Sequence, residues 1–175
     1  MASFGNRVVG AIRLQAATFE EVEHDANATT QAAIVVLAAT IARGLGWYYL
    51  GVMAILVTFF GALVGWVVGA IAVWAIGTRV LPGKNTEADP QQLMRTLGFA
   101  QAPGIFAVLA VLPLVGWLVG VVVMLWVLAA TVIAVRQALD YDDTLRAVIV
   151  CVIAWLVMFF VTMLASLIGL CTRLY

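Results

Sequence analysis

The stretch VMAILVTFFGALVGWVVGAIAVWAI, residues 52–76, decides the fold because it contains no charged side chain along its whole length. About 20 consecutive apolar residues are enough to cross the hydrocarbon core of a bilayer as an α-helix. Of the 175 residues in the chain, 65% are hydrophobic and 10% are charged. A globule of this size cannot bury so much apolar surface, and the apolar runs lack the alternation of a barrel strand. The sequence therefore predicts an all-α integral membrane protein.

Five transmembrane helices are predicted. They lie at about residues 27–43, 52–76, 98–112, 117–135 and 148–170. Residues 1–18 are predicted to form a cytoplasmic amphipathic segment, and residues 19–175 a single five-span domain. After the first span come Trp47, Tyr48 and Tyr49, which suit the headgroup layer.

The N-terminal segment has apolar residues at roughly helical spacing over residues 3–19, and Arg7 falls outside that stripe. This pattern predicts a helix that lies on the membrane surface. The alternative is a frayed chain end. Thr18 and Glu21 have the spacing of a capping box. We therefore expect a new helix to begin near Phe19 and to continue into the first span.

The connection before the third span contains a second helix start. Asp89 is the expected cap, with Gln92 at the position that closes a capping box. The helix that follows, residues 90–100, is amphipathic and is expected in the headgroup layer. Pro103 and Gly104 are expected to kink the entry to the third span.

The distribution of charge predicts the topology. Seven of the nine Lys and Arg residues fall on the side of the N-terminus, and Arg43 and Arg173 fall on the other side. The positive-inside rule then places the N-terminus in the cytoplasm and the C-terminus outside. All ionisable residues are expected at or beyond the ends of the spans. Because charged groups inside a span mark ion and proton paths, this placement disfavours a transporter.

Small residues mark two candidate helix-packing faces. Gly61, Gly65 and Gly69 recur every fourth residue in the second span, and Gly116 and Gly120 do so in the fourth. Such spacing lets helix backbones approach closely in lipid. The sequence therefore predicts a helix-packing interface at these glycines, either within this chain or with another one.

The loop RQALDYDDTLRA, residues 136–147, contains D-x-D-D-T, which resembles the acid motif of class II terpene cyclases. An aspartate in water is a poor proton donor at pH 7, and short motifs often match by chance. We expect Asp142 or Asp143 to cap the fifth span, and Asp142 to pair with Arg146. No catalytic residue is predicted, and the loop is at most a cytoplasmic docking surface. That predicted surface comprises Arg136, Asp140, Asp142, Asp143 and Arg146.

Metal chemistry has little support in the sequence. Glu21 and His24 form one E-x-x-H pair, whereas di-iron bundles need two such pairs and two further carboxylates. His24 is the only histidine, so the set cannot be completed. No metal site and no cofactor is predicted.

Three segments resemble the Yip family, the Ypt/Rab-interacting-type five-span membrane proteins, in its bacterial form. They are TFEEVEHD at residues 18–25, LMRTLGFAQAP at 93–103 and AVRQALDYDDTLRAVIV at 134–150. The resemblance implies a helical membrane protein that acts by binding. The D-L-Y-G-P-type motif of eukaryotic members is absent, so a GTPase partner is not carried over.

These observations lead to an expected function. We expect a non-enzymatic membrane scaffold or accessory subunit that packs with itself or with a larger complex and possibly shapes the membrane. The alternative is a small transporter or channel component. The expected partners are membrane lipids and other transmembrane proteins, without nucleic acid or a soluble small-molecule substrate.

Overall fold

The computed structural model describes residues 2–44, 52–84, 86–112 and 114–174, and these residues are helical with no β-strand among them. The helices are α1 (Phe4–Ile12), α2 (Ala16–His24), α3 (Ala28–Gly44), α4 (Val52–Ala75), α5 (Pro90–Phe99), α6 (Gly116–Ala138) and α7 (Thr144–Leu174). A π-helical turn, Ile76–Val80, follows α4, and a 3-10 helix, Ala102–Val111, follows α5. The predicted headgroup aromatics Trp47, Tyr48 and Tyr49 lie outside the described residues.

Four stretches of the described chain are long and apolar enough to cross a membrane. They are Ile55–Val80, Pro90–Val111, Gly116–Ala138 and Thr144–Leu164. The described part of the apolar helix α3 has 17 residues and is about 25 Å long, compared with a hydrocarbon core of about 30 Å. The prediction of an all-α integral membrane protein is confirmed, and within the described residues four of the five predicted spans reach the length of a full crossing.

The N-terminal region contains two short helices, and the prediction of one helix running from Phe19 into the first span is wrong. Helix α2 already begins at Ala16 and ends at His24. Asp25 then adopts an extended backbone, and its carboxylate accepts a hydrogen bond from the Asn27 amide at 3.0 Å. The local turn satisfies that amide outside a helix, so α2 and α3 are separate.

Arg7 is buried although the sequence pattern placed it outside the apolar stripe of α1. Its guanidinium forms ion pairs with Glu21 at 2.9 Å and Asp25 at 2.8 Å, and donates to Gln31 at 3.1 Å. The predicted capping box is also wrong. Thr18 lies inside α2, its side chain packed against α1 where a glycine leaves room. Helices α1 and α2 are therefore held together by the ion pair of Arg7 with Glu21 and by the packing of Thr18 against Gly10.

Helix α5 begins as predicted and packs into the bundle. The Asp89 amide donates to the Gln92 side chain at 2.6 Å, and the reciprocal bond completes the capping box. Leu93 and Phe99 are fully buried, so the apolar side of α5 packs into the bundle, and its position in the headgroup layer stays a prediction. At Ala102 the chain enters the 3-10 helix. Pro103 and Gly104, which were expected to kink the chain, lie in this helix.

Two glycines, Gly98 and Gly104, allow α3 to pack closely against α5 and the 3-10 helix. A Cβ added at Gly98 would lie 2.6 Å from the Cβ of Ala32, and one added at Gly104 would lie 3.1 Å from that of Ala39. On the other side of the 3-10 helix, α6 packs through Phe106 and Trp126, whose rings stack at 5.5 Å. The α5 to 3-10 segment is therefore the central element of the bundle.

Candidate functional site

The aspartate loop is held by Arg136. Its guanidinium donates to the carbonyls of Tyr141 and Asp142 and to the Thr144 hydroxyl, each at 3.2 Å. The Asp143 carboxylate accepts from the Leu145 amide at 3.0 Å and so caps α7, which confirms the predicted cap. The loop is thus a folded turn that ends one helix and starts the next.

The remaining loop contacts tie it to the end of α4. Arg146 donates to the Pro82 carbonyl at 3.1 Å and forms no ion pair with Asp142, so that predicted pair is wrong. The Tyr141 hydroxyl lies within hydrogen-bonding distance of the carbonyls of Gly77 and Leu81, at 3.0 and 2.7 Å. The contact of Arg146 with Pro82 therefore takes the place of the predicted pair with Asp142.

The predicted docking surface lies on the outside of this turn. Asp140, Asp142 and Asp143 are all exposed, and Asp140 has a positive φ of 49°. A shallow groove of about 410 Å³ is bordered by Arg136 and by two of these aspartates. The surface is accessible and its backbone is well fixed, and its role as a docking site stays a prediction.

Glu23 was not predicted as a site residue, and its burial is unexpected for a carboxylate. The residue is 3% exposed, and its Oε2 atom has no hydrogen-bond partner in the described part of the protein. Burial, with the nearby Glu20 carboxylate, raises the pKa of Glu23 to about 7. Arg95 approaches it, yet donates to the Glu23 backbone carbonyl at 3.0 Å instead of the carboxylate.

Among the described residues, no group of three or more His, Cys, Asp or Glu side chains is arranged to hold a metal ion around the E-x-x-H pair or elsewhere. His24 is exposed, and its Nδ1 lies 2.9 Å from the Glu20 carbonyl. This hydrogen bond is the main reason that the pKa of His24 is raised. Glu21 instead accepts a hydrogen bond from the Ala2 amide at 2.7 Å and pairs with Arg7, and these contacts, in that order, lower the pKa of its carboxyl.

The glycine row of α4 faces open space. A Cβ added at Gly61, Gly65 or Gly69 would meet nothing within 4 Å, and the same holds for Gly120 in α6. Gly116 is different because an added Cβ there would collide with the Ala110 carbonyl, so this glycine serves a contact within the chain. The row on α4 therefore has no packing partner inside the described structure.

A cavity of about 320 Å³ lies among α3, α4, α6 and α7. Gly65 and Gly69 from α4, Thr131 from α6 and Trp155 from α7 line it, and so does Arg43. Arg43 is exposed and lies in the last turn of α3, which is the end of the first predicted span, where the sequence pattern placed it.

Arg43 has no acidic partner in this cavity. Its Nη2 donates to the Gln101 side chain at 2.8 Å. All nine acidic residues of the chain lie within residues 20–25, 87–89 and 140–143, away from the cavity lining. An ionisable residue that lines a cavity among apolar helices is a candidate for function.

The comparison with known families covers nearly the whole bundle. The family model described as the Yip1 domain matches residues 10–165 of the 175. The chain belongs to the Yip1 domain family. No curated protein and no solved structure matches it.

The Yip1 domain contains all the candidate features described above. The glycine row, the cavity with Arg43, the buried Glu23 and the aspartate loop all fall within the matched residues. Most of α1 precedes the match. The buried Arg7 is therefore a contact that a segment outside the matched domain makes onto it.

Proposed function

We propose that this Yip1-domain protein is a non-enzymatic scaffold or accessory subunit that packs against itself or against other membrane chains through the glycine face of α4. The supporting observation is that the rest of the chain buries little of α4. Only 6% of the residues in its most apolar stretch are buried, compared with 28% for Gly116–Ala138 and 22% for Thr144–Leu164.

The chemistry of this face fits a helix partner. Gly61, Gly65 and Gly69 leave a shallow channel along a 24-residue apolar helix. In lipid, helices associate by close van der Waals packing, and small residues at every fourth position allow that approach. Gly65 and Gly69 also line the cavity among the helices, so the exposed Gly61 is the part of the row most open to a second transmembrane helix.

The proposal includes a topology. Helix α3 is the first of five spans, the N-terminus is cytoplasmic and the C-terminus lies outside, in a bacterial cytoplasmic membrane. The charge distribution supports this arrangement. The aspartate loop is then a cytoplasmic docking surface, and α1, where Phe4 and Val9 are exposed, contacts the headgroup layer. Membrane lipids and other transmembrane proteins are the partners, without nucleic acid or a soluble substrate.

The test compares Gly61→Leu with Gly61→Ala. Both side chains enter open space, so the monomer should fold as before. Leucine fills the channel, whereas alanine keeps the small-residue pattern. We expect cross-linked assemblies in mild detergent, identified by mass spectrometry, to be lost with leucine and retained with alanine. Asp142→Asn should leave assembly unchanged. A wild-type chain that is strictly monomeric and carries no partner after gentle extraction would contradict the proposal.

A second candidate function is a small transporter or channel component, favoured by Arg43 in the central cavity. Ionisable groups within a span commonly line solute paths. The test is anion flux in proteoliposomes. This function requires flux above that of empty liposomes and a clear change with Arg43→Gln, and equal flux in the two proteins would exclude it.

A further inference from the structure

The central cavity has one polar corner and otherwise mainly apolar walls. Arg43 and Gln101 meet at the corner, with Trp155 and Met158 of α7 on one wall and Gly65 on the opposite wall. Thr131 also lines the cavity, yet its hydroxyl already donates to its own helix at 2.7 Å. The lining therefore suits a molecule with a single polar end.

The polar corner is rich in hydrogen-bond donors. Arg43 carries five N–H groups and a fixed positive charge. The Gln101 carbonyl oxygen accepts from Arg43, which leaves the two amide N–H groups of Gln101 as donors. No Asp or Glu side chain is among the described residues that line the cavity. A group with acceptor oxygens and a negative charge is the complement to such a corner.

The size of the cavity limits the apolar part of the ligand. A volume of about 320 Å³ is at the small end for ligand sites. It corresponds to roughly ten water-sized groups at about 30 Å³ each. That space accommodates an acidic head and the first part of one acyl chain, and it is too small for both chains of a bilayer phospholipid.

We propose that this cavity binds an anionic amphiphile with one acyl chain, its carboxylate or phosphate head held by Arg43 and Gln101 and its chain lying between Trp155 and the glycine face of α4. The glycines at positions 65 and 69 then have a role of their own. The absence of a side chain at each keeps the cavity open.

The binding experiment uses a fatty acid brominated along its chain, which quenches tryptophan fluorescence on contact, with the full protein in a non-ionic detergent. We expect saturable quenching by the carboxylate probe at pH 8 and none by its neutral glycerol ester. The quenching should fall in Trp155→Phe, because that indole lines the cavity. Lysophosphatidic acid and inorganic phosphate serve as competitors. Competition by lysophosphatidic acid would show that the site also accepts a phosphate head.

Substitutions separate the head from the chain. Arg43→Gln should weaken binding about tenfold or more through the lost charge-assisted hydrogen bonds, and Arg43→Lys should weaken it less. Gly65→Leu should abolish binding by filling the cavity. Gly5→Leu, where the side chain also enters open space but in α1, is the matched control. Circular dichroism confirms that each variant is folded.

Several outcomes would overturn the proposal. These are equal binding of the neutral ester, unchanged binding in Arg43→Gln or in Gly65→Leu, and full competition by inorganic phosphate alone. Gly61 does not line the cavity. A Gly61→Leu protein that loses assembly yet binds the probe would show that amphiphile binding and scaffolding are separate properties.

Discussion

Replacing Glu23 by glutamine should make the protein more stable at alkaline pH and change little at acid pH. The wild-type carboxyl is buried with one oxygen unpartnered. Glu20 and His24 face it from its own helix, Asp140 from the loop after α6, and Arg95 from α5. The two carboxylates oppose its ionisation and the two cationic groups favour it, but burial is the largest effect.

The magnitude follows from the shift in pKa. The pKa of Glu23 is about 7 in the folded protein, compared with an ordinary value of 4.5. Between these values the folded state holds a proton that the unfolded chain releases, so stability falls as pH rises through this window. The difference corresponds to about 3 kcal/mol of lost stability by pH 8. Glutamine stays neutral, so the variant should lack this loss.

The assay is the free energy of unfolding in mixed micelles, measured from pH 5 to pH 8. This window lies above the titration of Glu21 and Asp25, whose pKa values are lowered through contact with Arg7. The raised pKa of His24 makes a contribution of the same sign, and that contribution remains in the variant. Glu87→Gln, which removes an exposed carboxylate elsewhere, is the control. Parallel pH curves for wild type and Glu23→Gln would refute the argument.

Three further substitutions test contacts between distant segments of the bundle. Arg7→Met should destabilise the protein by about 3–5 kcal/mol, because it leaves the nearly buried Asp25 carboxylate without its ion pair; equal unfolding free energies would contradict this. Tyr141→Phe should cost about 1–3 kcal/mol by removing a hydroxyl that contacts two backbone carbonyls, and hydrogen exchange in the connection after α4 should rise. Gly98→Ala should cost about 1–3 kcal/mol by overpacking against Ala32, and a thermal midpoint at or above that of wild type would show that α3 can move aside.

Features set by neighbours along the chain were predictable from sequence. The capping box of Asp89 and Gln92 depends on residues three positions apart, and both of its hydrogen bonds form. The cap at Asp143 likewise involves an amide two residues on. Hydropathy identified the long apolar helices for the same reason, because the length of a continuous apolar run is a local property.

Features set by contacts between distant helices were not predictable. Hydropathy locates Arg43 at the end of an apolar run but does not show that Arg43 contacts Gln101 and lines a cavity there. That position follows from the fit of α3 onto Gly98 and Gly104. The burial of Arg7 likewise needs two acids supplied by the next helix. For Glu23, no residue within a few positions signals that its carboxylate will be enclosed.

The packing of α3 on a later segment has a consequence for the synthesis of the protein. Helix α3 leaves the ribosome before the segment on which it packs, and the partner of Arg43, Gln101, is 58 residues further along the chain. At about 5–20 residues per second, that partner follows roughly 3–12 s later. During this interval a 17-residue helix with a charged end has no groove to occupy. Its final position can be reached only after the α5 to 3-10 segment has been made.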